Sequence, residues 1–344
     1  MLSVSVVIPI RNAARTLPHC LGALAQLDPA PHEIILVDNG STDESLALIR
    51  AFAEDHAARD VRVLEEPRRG AAAARNTGFR AATGDVIAFT DADCAPDPVW
   101  LQHLLEPVEQ PEIGAVAGRV VAAPASSTVE LFSALYTLQL PDTPALHRRW
   151  TPWEGGHPTA NLAVRRVLLD ELNGFEESLS ISAEDYDLCA RLYEHRAVIA
   201  YKPAAKVSHY HRTNLLGMLR QAFGIGLGHP CMLRRHVSRG LWLDLPGHSC
   251  SASGFPVPAW IDLASADKKT MAILAMGVLY RPALYLMAFY ALWLTVSASR
   301  RAMQWGISVS PTEAVGLAGL LVMKSTAMTL GRWWGSVKYG ALCV

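Results

Sequence analysis

Asp85-Val86-Ile87-Ala88-Phe89-Thr90-Asp91-Ala92-Asp93 is the stretch on which the fold reading turns. A short continuous apolar run between polar residues reads as a strand buried on both faces, as in parallel sheets covered by helices. Asp91 and Asp93, at i and i+2 of an extended segment, project to one side. At the C-terminal end of a buried strand they face the crevice in which open α/β sheets bind ligands. Carboxylate oxygens are hard donors suited to Mg²⁺ or Mn²⁺, which in turn hold nucleotide phosphates. The same triplet is common in solvated turns, so its surroundings decide.

Upstream, strand and helix patterns alternate. Residues 4–10 read as a strand, and 13–27 as a helix with Leu17, Leu21 and Leu24 on one face. Residues 33–38 form a second strand ending in Asn39-Gly40-Ser41. Ser41-Thr42-Asp43-Glu44 fits a capping box for a helix through Phe52. Residues 61–64 make a third strand and 70–82 an Ala-rich helix leading into 85–90. Asp97-Pro98 offers an N-cap and an N1 proline for a helix over 99–105. Such alternation predicts an α/β fold, Rossmann-like, with a mostly parallel sheet and helices on both faces.

Downstream the pattern loosens. It gives a strand over 115–121, helices over 129–138, 165–172, 183–193 and 214–227, a Gly- and Pro-rich loop over 151–159, and short strands over 198–201 and 206–209. Residues 231–258 lack periodicity. Two apolar stretches follow, 271–296 with the single charge Arg281 and 314–330 with the single charge Lys324. Each is long enough to cross a bilayer. If both crossed, the loop carrying Arg300 and Arg301 would lie opposite a cytoplasmic catalytic domain, against the positive-inside tendency. A hairpin dipping into one leaflet, or in-plane amphipathic helices, fits these charges better. The division expected is a catalytic domain over 1–225, an irregular connection over 226–269, and an apolar helical membrane-associating region over 270–344.

The 344 residues carry 31 basic and 32 acidic side chains, which gives no basis for capture of nucleic acid. Six scattered cysteines without a Cys-x-x-Cys pair suit a reducing compartment rather than a disulfide framework or zinc site. Met1 to Ile8 lacks a basic n-region and a cleavage site, so no signal peptide is expected.

Several constellations carry chemistry. Asp38 ends the second strand, where it either accepts a hydrogen bond from a base or ribose or merely stops the strand. Gly70 opens a helix whose Arg75 and Asn76 fall one turn on, within reach of a phosphate or ribose. Ser182-Ala183-Glu184-Asp185 opens another helix: Asp185 reads either as part of a cap or as a general base aimed into a crevice. His209 and His211 follow a short strand and share a face; one of them can complete a metal shell begun by Asp93. Gly155 to Asn161 reads as a wall of a sugar pocket.

Taken in order, Val6-Val7-Ile8-Pro9, Val37-Asp38-Asn39-Gly40-Ser41-Thr42-Asp43, Arg69-Gly70 through Ala74-Arg75-Asn76, Asp91-Ala92-Asp93, Glu184-Asp185 and His209 resemble the family 2 glycosyltransferases, over about residues 1–225. The resemblance implies a GT-A fold and metal-dependent, inverting transfer of a sugar, in the manner of a hexosyltransferase, from a nucleotide-diphosphate sugar. It would place Asp38 against the nucleobase with Pro9 and Arg11 bordering, Arg75 and Asn76 near the nucleotide, and Asp91 at the ribose or metal. Asp93 would bind Mg²⁺ or Mn²⁺, with His209 as a further ligand, and Asp185 would deprotonate the acceptor. Processive members carry Gln-x-x-Arg-Trp after the catalytic acid. Here Arg220-Gln221-Ala222-Phe223-Gly224 has no Arg-Trp, which favours transfer of one sugar or a few. The apolar tail suggests a polyprenyl-diphosphate saccharide as acceptor in cell-surface glycan assembly at the cytoplasmic face of the membrane. The rival is a soluble metabolite, peptide or protein acceptor, with the tail used for oligomerisation.

Overall fold

The structure, a computed structural model, describes residues 2–138, 140–151, 155–179, 183–237 and 239–344. The chain divides into two compact units, Met1–Ala123 with Leu138–Tyr210, and Pro124–Thr137 with His211–Val344.

The first unit is built on β1 (Val4–Ile10), α1 (Leu17–Ala25), β2 (Glu33–Asp38), α2 (Ser45–Asp55), β3 (Val61–Glu65), α3 (Ala71–Ala81), β4 (Val86–Thr90), β5 (Cys94–Pro96), α4 (Trp100–Val108) and β6 (Ile113–Ala122). The chain then forms α5 (Thr128–Tyr136), a part of the second unit, before β7 (Ala145–His147), β8 (Asn161–Arg165), α6 (Arg166–Glu171), α7 (Glu184–Glu194) and β9 (Val198–His209) complete the first. Among the described residues the strands form one mixed sheet in the order β3-β2-β1-β4-β8-β6-β9-β5, with β7 also on β9. The first four strands are mutually parallel, β8 runs antiparallel between β4 and β6, and β6 and β9 are parallel to each other.

Alternation along β1 explains the two layers. Val4, Val6, Ile8 and Ile10 enter one apolar cluster with Leu17 and Leu24 of α1 and Trp100 and Leu104 of α4. Val7 enters the other, with Ala74 and Phe79 of α3 and Leu188 and Leu192 of α7. Burial on both faces is why the strands read as unbroken apolar runs. From β1 the chain moves outward through β2 and β3 and returns to β4 on the other side of β1. The strand order therefore reverses beside the C-terminal ends of β1 and β4, where α/β sheets form ligand crevices.

Some local expectations give way. The capping box at Ser41 does not form: α2 starts after Glu44 without a side-chain cap. Ser41 Oγ instead accepts from Asn12 N at 3.1 Å, while Asn12 Oδ1 accepts from Thr42 N at 2.7 Å, so these side chains join the β1 and β2 loops. Asp97 does not cap α4, which starts after Val99. The two short strands over 198–209 are one strand, β9, with a register shift opposite Gly118 and Arg119. Pro203, which lacks a donor for the ladder, disguised that continuity.

The second unit continues from α5 with α8 (Leu215–His236), β10 (Gly240–Leu245), β11 (His248–Ala252), β12 (Pro258–Asp262), α9 (Ala266–Leu279), a 3-10 turn (Arg281–Leu284), α10 (Tyr285–Gln304), α11 (Pro311–Tyr339) and β13 (Leu342–Cys343). The region 226–269 is thus not irregular. It holds the last turns of α8 and three strands of a sheet ordered β11-β10-β12-β13. Its polar, Gly-rich sequence hid these strands, because β11 is exposed along its whole length. Residues 124–137 and 211–225, expected in the catalytic domain, also belong to this unit. α8 packs along α11 at glycine contacts, where a Cβ on Gly335 would lie 2.9 Å from Leu227 O. The turn with α10, and α11, are long and apolar enough to cross a membrane by length and composition.

Candidate active site

Asp91 and Asp93 leave β4 through a tight turn, closed by Cys94 N donating to Asp91 O at 3.0 Å. This corrects the extended i, i+2 geometry, and the two carboxylates take different partners. β5 pairs antiparallel with β9 so that Cys94 faces His209, and Tyr210 N donates to Asp93 O at 2.8 Å. That register brings His209 Nε2 to 3.5 Å from Asp93 Oδ1. Asp93, with its side chain 41% exposed, Cys94 and His209 offer donor atoms within 4.8 Å of one another. Cys94 was not anticipated, although its place directly after Asp93 was a signal. Burial first, then the charges of Asp93 and Asp91, push its thiol well above the ordinary range, so it stays protonated. A carboxylate and an imidazole suit Mn²⁺ or Mg²⁺, whereas a neutral buried thiol is a poor ligand for either.

The buried Arg75 of α3 joins Asp91 to the start of α7. Its Nη2 donates to Asp91 Oδ1 at 2.8 Å and its Nη1 to Glu184 Oε1 at 2.9 Å. Burial works against the guanidinium charge, but Asp91 and Glu184 outweigh it and raise the pKa. With both terminal nitrogens occupied, Arg75 ties two acids together in this structure. Glu184, which sequence reasoning assigned no role of its own, is the other end of that tie.

Asp185 stands next to Glu184, half-buried, and accepts from Tyr186 N at 2.9 Å. Removal from water, then the Glu184 charge, push its carboxyl up to about 7 despite the opposing Arg75. α7 begins after Ala183, whose φ of +95° lies where an alanine is strained. Ser182, read as the cap, lies outside the described residues.

Asp38 is buried at the end of β2. Its Oδ2 accepts from Gly40 N at 3.1 Å and Ser41 N at 3.2 Å, while its Oδ1 is buried with no hydrogen-bond partner among the described residues. An orphaned carboxylate oxygen is costly, and this one leaves free acceptor capacity at the end of β2. Half-buried Pro9 lies in register with Val37, and Arg11 is exposed beyond β1. Asn39, missed from sequence, donates to Glu66 O and Arg68 O at 2.8 and 2.7 Å and accepts from Gly70 N at 2.9 Å.

Two expectations fail here. Asn76 does not face a nucleotide: its amide donates to Phe175 O and Glu177 Oε1, both at 2.9 Å, and accepts from Phe175 N at 2.7 Å. Both of its amide hydrogens are used inside the fold. Asn161 is likewise structural, buried and bonded to Arg119 O, Ala205 O and Trp100 Nε1. The loop before it packs on α7, with Gly155 O accepting from Tyr193 Oη at 2.8 Å. His211 falls in the second unit.

Residues 5–172 match the family model described as Glycosyl transferase family 2. The chain is 36% identical over 239 residues to a pre-mycofactocin glycosyltransferase of Mycobacterium tuberculosis, covering 67% of this chain and 48% of that protein. It is 39% identical over 111 residues to an undecaprenyl-phosphate 4-deoxy-4-formamido-L-arabinose transferase of Sodalis glossinidius, covering 31% of this chain and 34% of that one. The chain thus spans about half the length of the first of these curated relatives, and less of the second. Among solved structures, the mannosyltransferase PcManGT from Pyrobaculum calidifontis, in complex with GDP-Man and Mn²⁺, superposes with a TM-score of 0.57 at 20% identity. That likeness covers 97% of this chain and 87% of the other, and it shows a shared GT-A fold.

Proposed function

We propose, for a chain that belongs to glycosyl transferase family 2, that the sheet unit transfers a single sugar from a nucleotide-diphosphate sugar to an acceptor hydroxyl with inversion. The observation that carries this reading is the buried Arg75 bridge, which ties Asp91 to Glu184 beside Asp185. Asp38 Oδ1 takes a donor hydrogen from the nucleobase, which relieves its missing bond. Asp93 and His209 are the residues that hold Mn²⁺ or Mg²⁺; when bound, the cation neutralises charge growing on the departing diphosphate. Asp185, with a carboxyl near pKa 7, accepts the proton of the acceptor hydroxyl as its oxygen attacks the anomeric carbon. Attack from the face opposite the leaving group inverts that carbon, and no covalent enzyme intermediate is required.

The acceptor in this reading is lipid-borne, a polyprenyl-diphosphate saccharide at the cytoplasmic face of the membrane. The support is the pair of apolar C-terminal helices and the undecaprenyl-phosphate substrate in the name of one relative. A second reading, a non-lipid acceptor, is favoured by the other relative, named for pre-mycofactocin.

The test is calorimetric titration of the full chain with a panel of nucleotide sugars, with and without Mn²⁺. Asp93→Ala is expected to abolish cation-dependent binding, and Asp185→Asn to retain donor binding while transfer disappears. Unchanged cation dependence in the first, or near-normal turnover in the second, refutes these roles.

A further inference from the structure

The large exposed apolar side chains of α10 and of α11 each gather on one side of their helix. On α11 the exposed residues include Val315, Met323, Leu330, Trp333, Trp334 and Val337. At 100° per residue these positions fall within a sector of about 100°. On α10 Tyr285, Phe289, Leu292, Trp293, Val296 and Met303 form a similar stripe. Phe289 is 70% exposed and Val337 85%. Exposure on this scale exceeds what scattered surface side chains require.

The opposite side of α11 is packed against protein, through Leu317, Ala318, Gly331 and Gly335, and the polar side chains on it are engaged. Lys324 Nζ donates to Tyr136 O and Thr137 Oγ1 at 2.9 and 2.8 Å, so it is bound to the end of α5. Ser325 Oγ donates to Asp267 at 2.5 Å, and Lys268 donates to Thr329 Oγ1 at 3.0 Å, both from α9. Arg332 pairs with Asp262 at 2.8 Å and stacks on Trp260, with its guanidinium 4.7 Å from the ring centroid. These contacts run from the middle of the helix to its last turns.

We propose that α10 and α11 lie in the plane of one membrane leaflet, their apolar stripes in the acyl boundary, on a surface rich in anionic headgroups. This rests on the membrane-borne acceptor proposed above. Lys324 lies 13 residues from Pro311, about 20 Å along the helix. In a helix perpendicular to a bilayer with a core of about 30 Å, Lys324 sinks into hydrocarbon and draws the end of α5 and the acid of α9 with it. With the axis in the plane, the stripe meets lipid at one depth and the opposite side stays with protein. Charge selects the headgroups: from Ala266 onward the sequence has eight Lys and Arg against Asp267 and Glu313, and Arg281, Arg300 and Lys338 are exposed. The same excess sets like charge against like across a symmetric interface with a second copy.

Nitroxide labels on the full chain in vesicles of phosphatidylcholine and phosphatidylglycerol test this. They go on Val315→Cys, Met323→Cys, Leu330→Cys and Val337→Cys, each in a Cys250→Ser background, because Cys250 is the exposed native thiol. In-plane seating predicts one common immersion depth, within about 5 Å. A crossing helix places the first and last labels about 33 Å apart along its axis with the middle pair deepest, which overturns the proposal. Labels screened from both lipid and water in proportion to protein concentration indicate a second copy and overturn it too. Affinity is expected to fall at least tenfold on vesicles lacking phosphatidylglycerol, and unchanged affinity refutes the headgroup assignment. Donor titration on the same samples separates the two readings: seating without donor binding fells the transferase reading, and donor binding without seating fells this one.

Discussion

Replacing Arg75 by methionine keeps a side chain of similar length and removes the charge. The guanidinium is 5% exposed and holds Asp91 at 2.8 Å and Glu184 at 2.9 Å, whose own side chains are 29% and 14% exposed. Breaking a buried pair by deleting one partner costs about 3–5 kcal/mol, since the other charge is left without compensation. Partial water access at Asp91 puts the expected loss at the lower end, about 3 kcal/mol. For a unit of roughly 200 residues this lowers Tm by about 6–12 °C. Thermal unfolding followed by circular dichroism reads it. Adding Glu184→Gln to Arg75→Met removes one of the stranded charges and returns about 1–2 kcal/mol, a coupling that a double-mutant cycle isolates. The deficit also shrinks on acidification from pH 8 to pH 5, because Asp185, whose carboxyl sits near 7, takes up a proton and relieves the repulsion. A Tm change below about 2 °C, or strictly additive effects of the two substitutions, refutes the bridge as the element that ties Asp91 to Glu184.

Asp185 gives two expectations with opposite readouts. As base, it should make kcat/KM rise about tenfold between pH 6 and pH 8 for a pKa near 7, and a flat profile removes it from that role. As a carboxyl raised from 3.8 to about 7 on folding, it stabilises the fold fully below pH 4 and loses that contribution as pH rises through 7. Asp185→Asn should therefore unfold at a higher temperature than the parent at pH 8, and a lower Tm there contradicts the direction of the shift. Asn76→Ala strands Phe175 N and O and should cost about 3 kcal/mol with donor affinity of the folded protein unchanged; weakened donor binding at full stability makes Asn76 a ligand contact after all. Gly78→Ala puts a Cβ against Val7 Cγ1 and should lower stability by about 1–3 kcal/mol, which urea unfolding measures; an unchanged midpoint shows that α3 can shift off β1.

What the sequence made legible follows from range. β1, β2 and β4 are buried on both faces, so each announces itself as a local apolar run, and Asp38 and Asp91 sit where those runs stop. Insertion of β8 between β4 and β6 has no such mark, because Thr90 and Asn161 meet across about 70 positions of sequence. Asn39, Asn76 and Asn161 look alike as letters. Only the contacts show that each spends its amide inside the fold, Asn76 on Phe175 O and Glu177 Oε1, which removes Asn76 from the nucleotide set. Arg75 stood out in the sequence, but its partners Asp91 and Glu184 did not, since nothing local says that α3 and the start of α7 converge. The strain at Ala183 was equally invisible, alanine carrying no preference for positive φ.

The turn that separates Asp91 from Asp93 also divides their duties. Asp91 is bound to a buried, permanently charged guanidinium, and Asp93 to an imidazole 3.5 Å away while 41% exposed to solvent. A carboxylate already neutralised by a fixed cation gains less from a second one than a neighbour that faces only an imidazole and solvent does. In the proposed site, Asp93 would therefore be the stronger partner for a divalent ion arriving with a nucleotide diphosphate. Asp91, through Arg75 and Glu184, would instead set how far the Asp185 segment stands from that ion. Lengthening Asp91 to glutamate should accordingly disturb transfer more than donor binding, whereas Asp93→Glu should do the reverse, and titration paired with turnover on the same two variants decides it. Equal losses in both measurements for both variants would mean that the two acids share one task.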